Sequence, residues 1–223
     1  MISNLSFNEI VKWILSHKSG LVFCCTLNEL MMADEDKDFK KKLESADILT
    51  PDGMPLVWCL WKKYGKGERV YGPEILKKII NLQSTNFNKK NQMIFVGDEK
   101  NKKYFEKFGD YIVMPMKEKF KKNDYDKLEK QINKSKAGIV WLGLGAKKQV
   151  EAGYELKQRG AKKVIITVGA AFDFLSGNKR QAPKWMRNIG GEWIYRLILE
   201  PRRLFKRYLK IILFLIRKII IGR

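Results

Sequence analysis

Six short apolar runs, rich in β-branched residues and set apart by stretches of helical spacing, constrain this chain more than any other feature. The candidate strands are Leu21–Thr26, Asp47–Leu49, Met93–Val96, Tyr111–Met114, Gly138–Leu142 and Val164–Val168. Helical spacing fills the intervals near Glu29–Ala46, Gly72–Leu82, Lys100–Phe108, Tyr125–Asn133 and Gln149–Arg159. Strand and helix in alternation predict an α/β fold: an open, mainly parallel sheet flanked by helices. At 223 residues the chain suits one domain, or one domain with an appendage. In such sheets ligands bind beyond the carboxyl ends of the strands. The polar stretch 83–92 reads as a loop, and the Lys-rich stretch from Lys100 to Lys136 as a solvated surface.

Charge is the second constraint. Forty-five Lys and Arg face 24 Asp and Glu, a net +21, so an anionic partner is expected: nucleic acid, a membrane surface or a phosphorylated ligand. Residues 179–223 carry 13 bases against only Glu192 and Glu200, and from Pro201 onward there is no acid. The uncharged run Ile211–Ile216 is far short of the ~20 residues a spanning helix needs. On a helix, Leu204, Phe205, Tyr208, Ile211, Ile212, Leu215 and Ile219 share one face. Arg203, Lys206, Arg207, Lys210, Arg217 and Lys218 lie opposite, with Phe214 and Ile221 among them. This pattern predicts an amphipathic helix lying on an anionic membrane surface. The plain alternative is a terminal helix packed on the core or on another subunit, which leaves a homo-oligomer open. The division expected is a core over 1–178 and an appendage over 179–223.

Three cysteines and one His make no disulfide framework and nearly exclude a Cys/His metal site. The N-terminal MISNLSFNEIVKWIL lacks a basic n-region and a cleavage site, so a reducing cytoplasmic setting is the default expectation. Asp34-Glu35-Asp36 and Asp124-Tyr125-Asp126 have the spacing of a paired-aspartate metal motif. Both lie in Lys-flanked polar stretches with no strand before them, so no metal and no cofactor is expected.

Five strand-end segments hold the candidate chemistry. Thr26 and Asn28 could donate to a phosphate or a sugar, although their place also suits a helix N-cap, which the pattern alone favours. Asp52, in Thr50-Pro51-Asp52-Gly53, is a turn former or an exposed carboxylate able to take a proton. Arg69 precedes Gly72-Pro73, a helix start that suits an anion; its plain reading is a surface Arg–Glu pair. Gly143-Leu144-Gly145-Ala146-Lys147-Lys148-Gln149 is a glycine turn entering a helix, without the third glycine of a dinucleotide fingerprint or the Gly-Lys-Ser/Thr of a P-loop. Val168–Gly177 places small residues and aromatics after the last strand, for a ligand or for tight packing.

Taken in order, these segments resemble the WecG/TagA/CpsF family of bacterial glycosyltransferases. The matching pieces are Thr26-Leu27-Asn28, ADILTPDG ending at Gly53, ERVYG from Glu68, GLGAKKQ from Gly143, VGAAFDFLSG from Val168, and the long block from Ala182 to Leu209. The resemblance implies a Rossmann-like α/β core with a membrane-associating C-terminal appendage. It implies transfer of a sugar such as N-acetylmannosamine from a UDP-sugar to an undecaprenyl-pyrophosphate-linked sugar. That reaction serves wall teichoic acid or exopolysaccharide synthesis at the cytoplasmic face of the membrane. Asp52 would be the base, with Thr26 and Asn28 in its pocket. Arg69 and Gln149 would contact donor or acceptor, and Gly143 and Gly145 would shape the nucleotide site. Arg202, Arg203 and Arg207 would close over the donor diphosphate, so that the appendage completes the site.

The chain departs from the family pattern at Lys147 (usually Pro), Val150 (usually Glu), Gln181 (usually Arg), Gly191 (where Leu is common) and Pro55 (often Gly). An inverting transfer needs one base and a cationic setting for the leaving diphosphate, which the basic tail would supply. The rival expectations are a nucleic-acid-binding module, for which no motif is present, and a non-catalytic membrane scaffold.

Overall fold

The computed structural model describes residues 2–84, 93–115, 117 and 119–220. Among these described residues, eighteen elements run in the order α1 (Phe7–Ser16), β1 (Gly20–Cys25), α2 (Leu27–Glu35), α3 (Lys37–Glu44), β2 (Ile48–Pro51), α4 (Met54–Tyr64), α5 (Gly72–Ser84), β3 (Met93–Gly97), α6 (Glu99–Phe105) and β4 (Asp110–Val113). They continue with α7 (Lys122–Lys134), β5 (Ile139–Leu142), α8 (Ala146–Gln158), β6 (Val164–Thr167), α9 (Ala171–Leu175), α10 (Lys184–Asn188), α11 (Glu192–Leu199) and α12 (Pro201–Ile220). The six strands form one parallel sheet in the order β2-β1-β6-β5-β3-β4. The expected α/β sheet with helices on both faces is what the chain adopts.

Both faces of the sheet are covered, which is why its strands read as unbroken apolar runs. Successive β1 side chains alternate between two cores. Leu21, Phe23 and Cys25 join the core under α2, α3, α7 and α8, while Val22 and Cys24 join the one under α1, α5, α6 and α9. Edge strand β4 is exposed at Asp110 and Val113. The opposite edge, β2, is buried throughout, and the Ser3 N–H donates to the Leu49 carbonyl along it at 2.7 Å. That contact covers a strand edge that would otherwise be open to pairing.

Several elements differ from the sequence expectation. The helical stretch 29–46 is two helices, broken at Asp36, whose carboxylate accepts from the Asp38 and Phe39 N–H groups and caps α3. Helices α1 and α4 were not anticipated; α4 begins directly after the Asp52-Gly53 turn with Pro55 in its first turn, where proline is tolerated. Gln83 and Ser84, expected to lie in a loop, instead end α5; the rest of that stretch, 85–92, lies outside the described residues, as does Ile221.

Helix α12 packs on the core along one side, as the plain alternative expected, and leaves its other apolar residues in the open. Leu204 is fully buried, and Ile211 and Leu215 pack on the core beside α2. Phe205, Leu209, Ile212, Leu213 and Ile216 form a second stripe that stays exposed. Lys218 ties the far end to Asp34 of α2 at 2.6 Å. Among the described residues no helix is long and apolar enough to cross a membrane.

Candidate active site

The carboxyl ends of β2, β1, β6 and β5 are neighbours in the sheet, and the sequence-predicted residues follow them. Asp52 leaves β2, Thr26 and Asn28 leave β1, Gly169 follows β6, and Gly143 to Gln149 follow β5. The Asp52 N–H donates to the Cys25 carbonyl at 2.9 Å, which fixes the turn beside the end of β1. Burial holds the Asp52 carboxyl up at about 7. Arg69 and the Gly72 N–H at the start of α5 oppose that rise, and the carboxylates of Glu192 and Glu29 add to it. A carboxyl near neutrality at a strand end is suited to proton transfer.

Arg69 is the hub of the site. Its Nε donates to the Asp52 carbonyl at 2.5 Å, its Nη1 to the Arg187 carbonyl at 3.3 Å, and its Nη2 to Glu192 Oε2 at 2.8 Å. Its guanidinium lies 4.0 Å from the centre of the Tyr71 ring. The other Glu192 oxygen accepts from the Tyr71 hydroxyl at 3.1 Å, and Gln181 Nε2 donates to that hydroxyl at 2.8 Å. Residues of the predicted appendage therefore clasp the Arg69–Tyr71 segment directly. The plain expectation of an Arg–Glu pair is met, but the pair is mostly buried and its glutamate comes from α11, 123 residues away.

Thr26 is the N-cap of α2, as its pattern favoured. Its hydroxyl donates to Glu29 Oε2 and its N–H donates to the same oxygen at 3.0 Å, while the Asn28 N–H donates to Thr26 Oγ1 at 3.2 Å. The Asn28 amide reaches Met32 Sδ at 3.5 Å. Glu29 is buried, and burial raises its pKa; Arg207 of α12 acts on it in the opposite sense. Of the three tail arginines, Arg207 alone is joined to this cluster, through its charge. Its Nε is buried with no hydrogen-bond partner. Arg203 is held by Glu200, and Arg202 is exposed.

On the β5 side, Gln149 is 2% exposed and its Oε1 accepts the Gly169 N–H at 2.9 Å, pinning the β6–α9 turn to α8. Gly169 there has φ +56°, a backbone state that glycine takes without strain. The two glycines of the turn do different work. A Cβ on Gly143 would lie 2.6 Å from the Phe172 ring, so this glycine admits an aromatic side chain. Gly145 has φ +83° and open space around it, directly before the N-terminus of α8, which has no side-chain cap. Gly143→Ala is therefore expected to cost about 2 kcal/mol through overpacking, and Gly145→Ala about 2 to 3 kcal/mol through backbone strain alone, since φ +83° with ψ 158° is a state that only glycine takes readily. Denaturant midpoints at unchanged slope would measure both.

The two aspartate pairs weighed as metal motifs have structural partners. Asp34 pairs with Lys218, and Asp36 caps α3. Asp124 accepts from the Lys121 N–H and from Lys117, and Asp126 pairs with Arg159 at 2.6 Å.

The sequence model of the glycosyl transferase WecG/TagA/CpsF family matches residues 1–222. The chain belongs to that family. It is a glycosyltransferase. A curated relative from Bacillus subtilis (strain 168), N-acetylglucosaminyldiphosphoundecaprenol N-acetyl-beta-D-mannosaminyltransferase, is 28% identical over 220 residues. That match covers 94% of this chain and 84% of the relative. Two departures from the WecG/TagA/CpsF pattern now have a place. Val150, where the family usually has Glu, is buried in the core beneath α8. Gln181, where it usually has Arg, holds the Tyr71 hydroxyl.

Glu29, Tyr71 and Glu192 join the site beyond the residues that the strand-end motifs point to. Glu29 had a signal: Thr26-Leu27-Asn28-Glu29 is a capping-box pattern. Glu192 had another, as one of two acids in a strongly basic segment.

Proposed function

We propose that this chain transfers an N-acetylhexosamine, N-acetylmannosamine being the first candidate, from a UDP-sugar to a sugar on undecaprenyl pyrophosphate, with inversion at the anomeric carbon. One observation carries the reading: in a family of glycosyltransferases, a carboxyl stands just beyond the carboxyl end of β2, beside a mostly buried arginine that holds its carbonyl. Asp52 takes the proton of the acceptor hydroxyl as its oxygen bonds to the anomeric carbon. The bond from that carbon to the donor phosphate oxygen breaks on the opposite side, and UDP leaves with the electron pair.

Charge on the departing diphosphate needs positive partners. The uncapped start of α8 beside Gly145, Arg69, and Arg207 of the tail are suited to that work. Thr26, tied to Glu29 through its hydroxyl and its N–H, acts as a positioning residue, whereas the Asn28 amide, held only by Met32 Sδ, and the Gln149 amide keep donors for a ligand. Arg203 would first release Glu200 to meet a donor, and Arg202 is exposed. The acceptor named for the Bacillus subtilis relative is membrane-borne, and the exposed apolar stripe of α12 beside its bases suits a membrane surface. Residues 179–220 thereby serve as both anchor and clasp.

The test is a panel of UDP-sugars against a short-chain polyprenyl-pyrophosphate N-acetylglucosamine acceptor. Acceptor-dependent UDP release, with product of inverted anomeric configuration by NMR, is the expected outcome. Retained configuration would overturn the mechanism, and no acceptor-dependent turnover with any donor would overturn the reading.

A further inference from the structure

Helix α4 starts two residues after Asp52 and buries Leu56, Val57 and Leu60. Its outer face carries Trp58 and Trp61, which are 53% and 58% exposed. Neither indole is loose. Trp61 Nε1 donates to the Gly67 carbonyl at 2.9 Å. The Trp58 ring lies against Gly190, where an added Cβ would come within 2.9 Å of it. That contact joins α4 to the turn between α10 and α11, where Ile189 is 66% exposed. Two ordered tryptophans held in water on one short helix, continuous with a further apolar residue, mark an interaction surface.

The chemistry around the patch selects its partner. No acid occurs between Gly53 and Gly67 or between Phe174 and Gly191, while Lys62, Lys63, Lys66 and Lys184 are all exposed there. A second copy of the chain would bring these cations against one another. An anionic phospholipid surface would instead pair them with headgroups, at about 1 kcal/mol for each lysine near the surface. Indoles favour the layer between headgroup and acyl chain.

We propose that the outer face of α4, with the α10–α11 turn, is a second lipid-docking surface that seats Trp58 and Trp61 in the headgroup layer of an anionic membrane. The proposal rests on the membrane-surface reading of α12 and extends it. The base at the N-terminus of α4 would then lie beside docked elements, within reach of a pyrophosphate carried at the bilayer surface.

The full chain offers its own probe site: Cys59 is exposed on α4, whereas Cys24 and Cys25 are buried. An environment-sensitive thiol dye on Cys59 should shift to the blue with vesicles of phosphatidylglycerol and phosphatidylcholine, and stay unshifted with phosphatidylcholine alone. Trp58→Ala/Trp61→Ala should weaken vesicle binding at least tenfold and leave turnover of a short-chain soluble acceptor unchanged. Lys62→Glu/Lys63→Glu, which changes only exposed side chains, should weaken binding similarly and serves if the tryptophan variant does not fold. Vesicle binding that persists in both variants, with a dye that stays in water, overturns the α4 surface and leaves the α12 reading standing. No binding of the unaltered chain to anionic vesicles overturns both. A concentration-dependent blue shift without vesicles assigns the face to a second copy and overturns the lipid assignment.

Discussion

Near pH 8, Asp52→Asn is expected to lower turnover about a thousandfold while leaving UDP-sugar binding within about threefold. That split marks a group acting on the transition state and not on donor affinity. Single-turnover UDP release with calorimetric donor titration would measure it; an active Asn variant would remove Asp52 from the chemistry. In the unaltered chain, turnover should rise with pH and level off above about 7, as the carboxyl loses its proton. The same ionisation has a cost in stability. Between about 4, where the unfolded carboxyl ionises, and about 7, the folded chain retains a proton that the unfolded chain has released. Stability therefore falls as pH rises through that window. Asp52→Asn escapes the loss and should be the more stable form above pH 7, on the order of 2 kcal/mol after allowance for the solvent that reaches a partly exposed group. Below pH 4 the difference should vanish.

Arg69→Ala should have the next largest effect, about a hundredfold or more in turnover. Its loss releases the Asp52 carbonyl, removes one of the two guanidinium groups over the Tyr71 ring and breaks the ion pair with Glu192. Arg69 opposes the rise of the Asp52 carboxyl, so the acid limb of the pH profile should move to higher pH. Glu192→Gln, which keeps an oxygen for Arg69 but removes the charge, should move the limb to lower pH at a smaller cost in rate. Arg69→Lys should restore the position of the limb better than the rate, since an ammonium cannot make three divergent bonds in one plane. Limbs that stay fixed in both charge-changing variants would uncouple this cluster from the base.

The sheet was legible because five of its six strands are buried almost throughout and therefore read as apolar runs, while β4, exposed at both ends, still showed the β-rich Tyr111-Ile112-Val113. Helices α1 and α4 were missed for different reasons. Helix α1 carries a full capping box at Ser6 and Glu9, a local signal that was present but passed over. Helix α4 follows Asp52-Gly53 and contains Pro55, so its start resembles a turn, and its outward tryptophans blur the helical spacing. At the site, Asp52 and Arg69 were legible as strand-end residues. The clasp by Glu192 and Gln181 was not, because those bonds span more than 100 residues and no local pattern encodes them. Gly143 was expected to make room for a nucleotide, but its immediate neighbour is Phe172, and only packing reveals that.

The order of the sheet has a consequence for how the chain is made. The outer pairs, β2 with β1 and β3 with β4, come from residues 20–113, whereas β5 and β6, which join them, come later. During synthesis the two ribbons emerge early and must wait, each with an open inner edge, until residues 139–167 leave the ribosome. Long-range parallel pairing of this kind is intrinsically slow. The β6 strand is thus a keystone. Until it slots between β1 and β5, the loops bearing Asp52 and Gly145 share no common floor, and the nascent protein has no active site.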